Sequence, residues 1–316
     1  MIHNVYSKEA ESMLFVNNGY VERIVDVYVE DNIADFEKNK LFYFCTLPIM
    51  WALTFWVLLK KRAYKIFRKN IKTNTLWVDG LSFSCNEIKK NAASWKALDI
   101  VYNFDFEDQQ GVEGLISKYW IGMLNGQAVR NRFKIVKREL KIAISAYKYM
   151  PEVRIISIAS GSAQVVLEAM EEMVGSGVNV TATLLDLDPT ALAHSRYLAK
   201  KKNLEGRIDF IEGGTSKIKN FEKRPHIVEM VGFLDYRPDK KAIKLIKDIR
   251  KLNPEVFICS NIIPNQERTP LKYLFDWDME YRKPNDFKKI INKGGFHYCS
   301  YIIEPVQLYT ISICYN

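Results

Sequence analysis

From Glu152 onward, short apolar runs alternate with segments of helical periodicity, and that alternation leaves few folds open to the chain. VRIISIA, residues 153–159, is apolar almost throughout, as a strand buried on both faces requires. Val165, Val166, Leu167, Ala169, Met170 and Met173 then follow at helical spacing over 163–174. VNVTATLLD, 178–186, reads as a second strand, and Asp188 and Pro189 open a helix over 189–202. Strands over 207–212, 226–232 and 255–261 and helices over 239–252 and 284–293 continue the pattern. Such alternation implies right-handed βαβ units and a parallel sheet covered on both faces. The last two runs, FHYCSYIIE and VQLYTISIC, flank Pro305 closely and must pair antiparallel.

Residues 1–114 read as helical, rich in aromatic patches and without regular strand alternation. The polar segment FEDQQGVEG, 106–114, makes a boundary there. Residues 117–150 read as two helices, the second over 132–149 with Phe133, Val136, Leu140 and Ile144 on one face. The predicted organisation is therefore a helical lid and substrate region over 1–114 and an α/β domain over 115–316. A content of 48% hydrophobic and 26% charged residues excludes a largely disordered chain. The net charge of +9 favours anionic partners, although lysines spread along one helix, such as Lys240, Lys241, Lys244 and Lys247, fit a solvated face equally well.

Five widely spaced cysteines without a CxxC pair suggest neither a disulfide framework nor a zinc site, and a reducing cytoplasm fits them best. MIHNVYSKEAESMLF has acidic residues where a secretion signal needs basic ones, so export is not expected. Residues 41–59 are uncharged and run straight into KKRAYKIFRKNIK, which meets the description of a spanning helix. Pro48 suits the first helical position, which would leave roughly 18 Å of apolar helix before the lysines. The expectation is a buried or lipid-contacting helix, with peripheral membrane contact through 41–59 left open.

The order of five βα units followed by a hairpin resembles the class I S-adenosylmethionine-dependent methyltransferase fold, a Rossmann-like seven-stranded sheet whose last strand is antiparallel. Two later segments are similar to a group of bacterial methyltransferases, some linked to carboxyl methylation of hydroxy fatty acids. They are Gly232, Phe233, Leu234, Asp235, Tyr236, and then Asn261 and Pro264 followed by Asp276, Trp277, Tyr281 and Arg282. Arg237 and the pair Asn253, Pro254 depart from the pattern.

The resemblance implies S-adenosylmethionine as cofactor, held at the carboxyl ends of the first strands. The family loop reads acid, x, Gly, x, Gly, x, Gly; here Ser157 stands for the acid, Ala159 and Ala163 for two glycines, and Gly161 is kept. Ala159, Ser160, Gly161 and Ala163 are the predicted cofactor loop, and crowding by the alanines predicts a modified pose or weaker binding. Asp186 is placed to accept the ribose hydroxyls, with Leu187 on the adenine, Gly214 and Thr215 near the base, and Val231 and Gly232 beside the donor. Asp188 is read as a helix cap. Arg130, or Arg132 near it, would meet the methionine carboxylate. Asn261, Trp277 and Arg282 are predicted to touch the acceptor; Trp277 and Tyr281 at i, i+4 could instead form a helical stripe, and Asp235 and Arg282 an ion pair. Asp235, Tyr236 and Tyr281 are the candidate catalytic groups. His194, His226 and His297 have no ligand-spaced partners, so no metal is expected.

The implied activity is methyl transfer to a small acceptor, apolar or carboxylate-bearing and lipid-like. Two rivals stay open: aminocarboxypropyl chemistry that releases methylthioadenosine, and a non-catalytic membrane-associated module. Nucleic acid is disfavoured as a partner, because no basic stripe with interleaved aromatics is seen.

Overall fold

The computed structural model describes residues 13–17, 20–24, 40–221 and 223–316. These divide into two compact units. One contains Asn131–Ile263 and Glu280–Asn316 together with the strands before residue 25; the other contains 40–130 and Pro264–Met279.

The first unit is a seven-stranded sheet of order β5-β4-β3-β6-β7-β9-β8. Its strands are β3 Val153–Ile158, β4 Val180–Asp186, β5 Ile208–Glu212, β6 Ile227–Met230, β7 Val256–Ile262, β8 Tyr298–Ile303 and β9 Tyr309–Tyr315. All neighbouring pairs are parallel except those made by β9, which runs antiparallel to both β7 and β8. β3 is central, with Ile155 opposite Ala182 on one side and Ile227 on the other. Its side chains are buried at nearly every position, which explains why the run is apolar rather than alternating. Ile156, Met230, Phe257, Phe287 and Phe296 belong to one core cluster, into which Ile246 also packs. The strands and helices predicted from Glu152 onward are present within three residues of their expected ends, β9 starting latest, at Tyr309 rather than Val306. Asp188 caps its helix as expected, its side chain accepting the Thr190 N–H at 2.8 Å.

The remaining strands, β1 Met13–Asn17 and β2 Tyr20–Ile24, pair antiparallel with Asn17 opposite Tyr20. They lie where a purely helical region was expected.

The second unit is helical. Its elements are α1 Lys40–Ile66, a π-helical turn Leu76–Gly80, α2 Phe83–Lys90, α3 Trp95–Tyr102, α4 Gly111–Ile121 and the start of α5 Leu124–Ala146. The sheet unit's helices are α6 Gln164–Gly175, α7 Pro189–Lys201, α8 Asp239–Lys251 and α10 Pro284–Lys293, with the short α9 Arg268–Leu274 in the helical unit.

Two expectations are corrected here. α1 does not begin at Pro48 but runs through it for 27 residues, about 40 Å. Within it Tyr43–Ile66 is long and apolar enough to cross a bilayer by length and composition, with a mean hydropathy of 1.4. The two compact units divide between Arg130 and Asn131, inside α5. α5 starts eight residues before the expected Arg132 because a distant side chain caps it. The Glu267 carboxylate accepts the N–H groups of Leu124 at 3.0 Å and Asn125 at 2.9 Å, donors that a helix start leaves without partners. Gly126 completes the start, since a Cβ there would stand 2.1 Å from the Ile121 carbonyl oxygen.

Candidate active site

The loop from β3 into α6 takes a left-handed backbone at each position where the family loop carries glycine: φ is 53° at Ala159, 55° at Gly161 and 51° at Ala163. An L-residue pays about 1–2 kcal/mol for that conformation, so two alanines follow a glycine path at a cost. Hydrogen bonds hold them to it. Ser160 N–H donates to Leu185 O at 3.1 Å, and Gly161 N–H donates to Asp186 Oδ2 at 2.7 Å. The Gly161 carbonyl in turn accepts the Ser195 hydroxyl at 3.0 Å.

Asp186, at the carboxyl end of β4, thus anchors the loop with one oxygen while the other accepts the Asp188 N–H at 2.9 Å. Its carbonyl takes the Gly213 N–H at 2.8 Å, which draws the end of β5, next to Gly214 and Thr215, to the same place. Leu187 beside it is 72% exposed, an apolar side chain presented at the carboxyl edge of the sheet. Ser160, Gly161, Asp186 and Gly213 are therefore brought together, with Ala159, Leu187 and Gly214 next to them in the chain.

Beneath this edge lies a buried charged layer. Ser157, at the position of the family's acid, donates its hydroxyl to Glu229 Oε2 on the neighbouring β6. Glu229 Oε1 accepts the Val231 N–H at 2.9 Å. Burial pushes the Glu229 carboxyl up to about 7, against those two hydrogen bonds and the Arg132 charge. Arg132 is 2% exposed, stacks on the Tyr309 ring at 4.5 Å, and reaches Asp235 at 3.6 Å. Its guanidinium occupies the space that a side chain at Gly232 would need, 3.3 Å from an added Cβ at a residue whose φ is +81°. Glycine is favoured there on both counts.

Asp235 is also fully buried. It accepts the Ile262 N–H at 2.8 Å, and burial raises its carboxyl to about 6 although Arg132 and Arg282 pull the other way. Arg282 pairs with Asp239 at 2.9 Å and donates to the carbonyls of Leu234 and Arg237 and to Asn261 Oδ1. Asn261 donates onward to the carbonyls of Ile262 and Glu280. Asp235, Asn261 and Arg282 thus lock the ends of β6 and β7 to the segment after 279, which accounts for their spacing in the sequence. Tyr236 and Tyr281 flank this cluster, half-buried.

Two predicted residues fall in the other unit. Arg130 donates to the carbonyls of Ile121 and Val101 and lies over the Phe106 ring at 4.8 Å. Trp277 is buried there, its backbone N–H donating to the Leu271 carbonyl. Trp277 and Tyr281 do not form a helical stripe, because α9 ends at Leu274 and Asp276 takes φ 54°. Glu229 is the residue sequence reasoning missed. Inside IVEM it is a lone acid in a four-residue strand buried at every position, and that was its only signal.

A parallel sheet with its last strand inserted antiparallel, and a left-handed loop after the central strand tied to an acid on the next, define a class I methyltransferase fold. The family model described as "Putative methyltransferase" matches residues 45–255, and the chain belongs to that family. No curated protein sequence matches it. Among solved structures it is similar to a "possible exported protein" from Bordetella parapertussis, at 13% identity and a TM-score of 0.63, covering 84% of this chain and 95% of that one. It also matches magnesium protoporphyrin IX methyltransferase from Synechocystis, solved with bound SAM, at 12% identity and a TM-score of 0.46 over 70% of this chain and 95% of that one. An O-methyltransferase family 2 protein from Planctomyces limnophilus, in complex with apigenin, matches at 14% identity and a TM-score of 0.44 over 65% of this chain and 69% of that one.

Proposed function

We propose that the chain uses S-adenosylmethionine to methylate a small acceptor that is apolar or carries a carboxylate. The observation that carries this reading is the left-handed path of 159–163 with Gly161 tied to Asp186. Small side chains let the backbone approach a nucleotide, and Asp186 keeps acceptor capacity for ribose hydroxyls, since a carboxylate has about four lone-pair sites and two are in use. Leu187 gives the adenine an apolar face, while Gly214 and Thr215 stand by the base. The bound donor supplies an electrophilic methyl group.

The protein's work is then positioning and exclusion of water. Asp235 is a positioning residue in this reading: its oxygens face Ile262 N–H and Arg132 inside the protein. Tyr236, half-buried, is left as the candidate group that could act on a hydroxyl acceptor, the Tyr281 hydroxyl being buried, whereas a carboxylate acceptor needs no base. The aromatic content of the helical unit supports an apolar, lipid-like acceptor, and we read the chain as cytoplasmic with peripheral membrane contact. The left-handed loop path supports an ordinary donor pose and so favours methyl transfer over aminocarboxypropyl transfer in this reading.

Calorimetry with S-adenosylhomocysteine tests the cofactor reading. We expect micromolar binding that Asp186→Ala weakens at least about tenfold, the loss of one charge-assisted hydrogen bond. Failure of the native protein to bind would overturn it, and methylthioadenosine as the product would transfer the reading to its rival.

A further inference from the structure

The two faces of α1 have different fates. Tyr43, Met50, Thr54 and Val57 are buried, and the Tyr43 hydroxyl donates to Glu267 at 2.5 Å. Lys61, further along, donates to the Tyr273 carbonyl and pairs with Asp276. This face is bound to its own unit. The opposite face sets Phe44, Ile49, Phe55 and Trp56 at 58–62% exposure, with Trp51 and Leu59 at 44%. Single exposed apolar side chains are ordinary, but a continuous row of large ones along one helix is not.

Immediately after this row the charge is all of one sign. No Asp or Glu occurs between residues 41 and 78, and Arg62, Lys65, Arg68 and Lys69 are exposed around the equally exposed Ile66 and Phe67. We propose that the exposed face of α1 and the 62–69 run dock on a bilayer with anionic headgroups, the helix lying in the interface plane. Apolar and tryptophan side chains would enter the headgroup boundary while the cations meet lipid phosphates. A spanning arrangement is disfavoured because a membrane-crossing helix cannot keep one face on a buried carboxylate of a water-soluble fold. A second copy is disfavoured because the row and the 62–69 run beside it contain no Asp or Glu to meet a partner's cations.

The test is sedimentation of the full chain with phosphatidylglycerol–phosphatidylcholine vesicles against pure phosphatidylcholine vesicles, with light scattering in parallel. We expect at least about tenfold tighter binding to the anionic vesicles, weakened by salt. Trp56→Glu and, separately, Arg62→Glu with Lys65→Glu should each lower it about tenfold, with circular dichroism unchanged. Equal affinity for neutral vesicles, or none for either, overturns the proposal. So does a dimer that Trp56→Glu dissolves, or protein that resists carbonate extraction from membranes. None of these outcomes touches the cofactor reading, which is tested in solution.

Discussion

The sheet unit and the helical unit are built on different principles. In the first, where elements begin and end follows mostly from their own residues, and distant polar groups such as Asp235 and Arg282 tie strand ends already formed: apolar runs make buried strands, Asp188 caps its helix, and Pro284 starts another. In the second, polar staples between distant residues set where elements begin. Glu267 reaches Leu124, Asn125 and Tyr43, and the Asn74 amide donates to the carbonyls of Tyr273 and Leu274. A unit of the first kind should absorb a lost polar group locally; one of the second kind should fail as a whole.

Glu267→Ala is the sharpest way to break this contrast. It removes the acceptor of the Tyr43 hydroxyl, two backbone N–H groups and the Asn125 amide. Leaving such donors buried should cost about 3–5 kcal/mol in urea unfolding, whereas a loss below about 1 kcal/mol would deny the staple its role.

Glu229 gives the next largest effect, through pH. Its folded-state pKa of about 7 lies above the ordinary 4.5, so between those values the native state holds a proton that the unfolded state has lost. Stability should therefore fall as pH rises from about 4.5 to about 7, by about 3 kcal/mol. Asp235, raised to about 6, adds a drop in the same direction. Urea midpoints at pH 5 and pH 8 measure it. Glu229→Gln should flatten most of the difference, and an unchanged profile would mean that another group titrates.

Ala159→Gly and Ala163→Gly should each stabilise the sheet unit by about 1 kcal/mol, because the left-handed conformation costs glycine nothing. Cofactor affinity should change less than about twofold, since the path is already taken. Destabilisation would mean that the alanine methyl groups pack better than their backbone strain suggests. Smallest is Asp188→Ala, about 1 kcal/mol or less from a lost helix cap.

What could be read in the sequence follows the same division. β3, β4, the Asp186 position and the reversed last strand were legible because local pattern and chain order specify them. The loop's path was only half legible. Ala159 and Ala163 looked like a departure from the glycine pattern, yet the backbone keeps the pattern's angles and bears the cost. Glu229 was illegible because its meaning depends on Ser157 across the β3–β6 register. The start of α5 was illegible because its cap lies some 140 residues downstream. Pro48 misled because helix N-termini favour proline, whereas α1 carries it in its interior at the expense of one i→i−4 hydrogen bond.

The central claim is that the left-handed turn at Gly161 holds the cofactor. Calorimetric titration of Gly161→Val with S-adenosylhomocysteine tests it most directly, because a β-branched residue at φ 55° is strained and fills the approach to the backbone. The account predicts affinity lowered by more than about a hundredfold, with the far-ultraviolet spectrum of the native protein retained. Binding at the native affinity in a folded variant would contradict it.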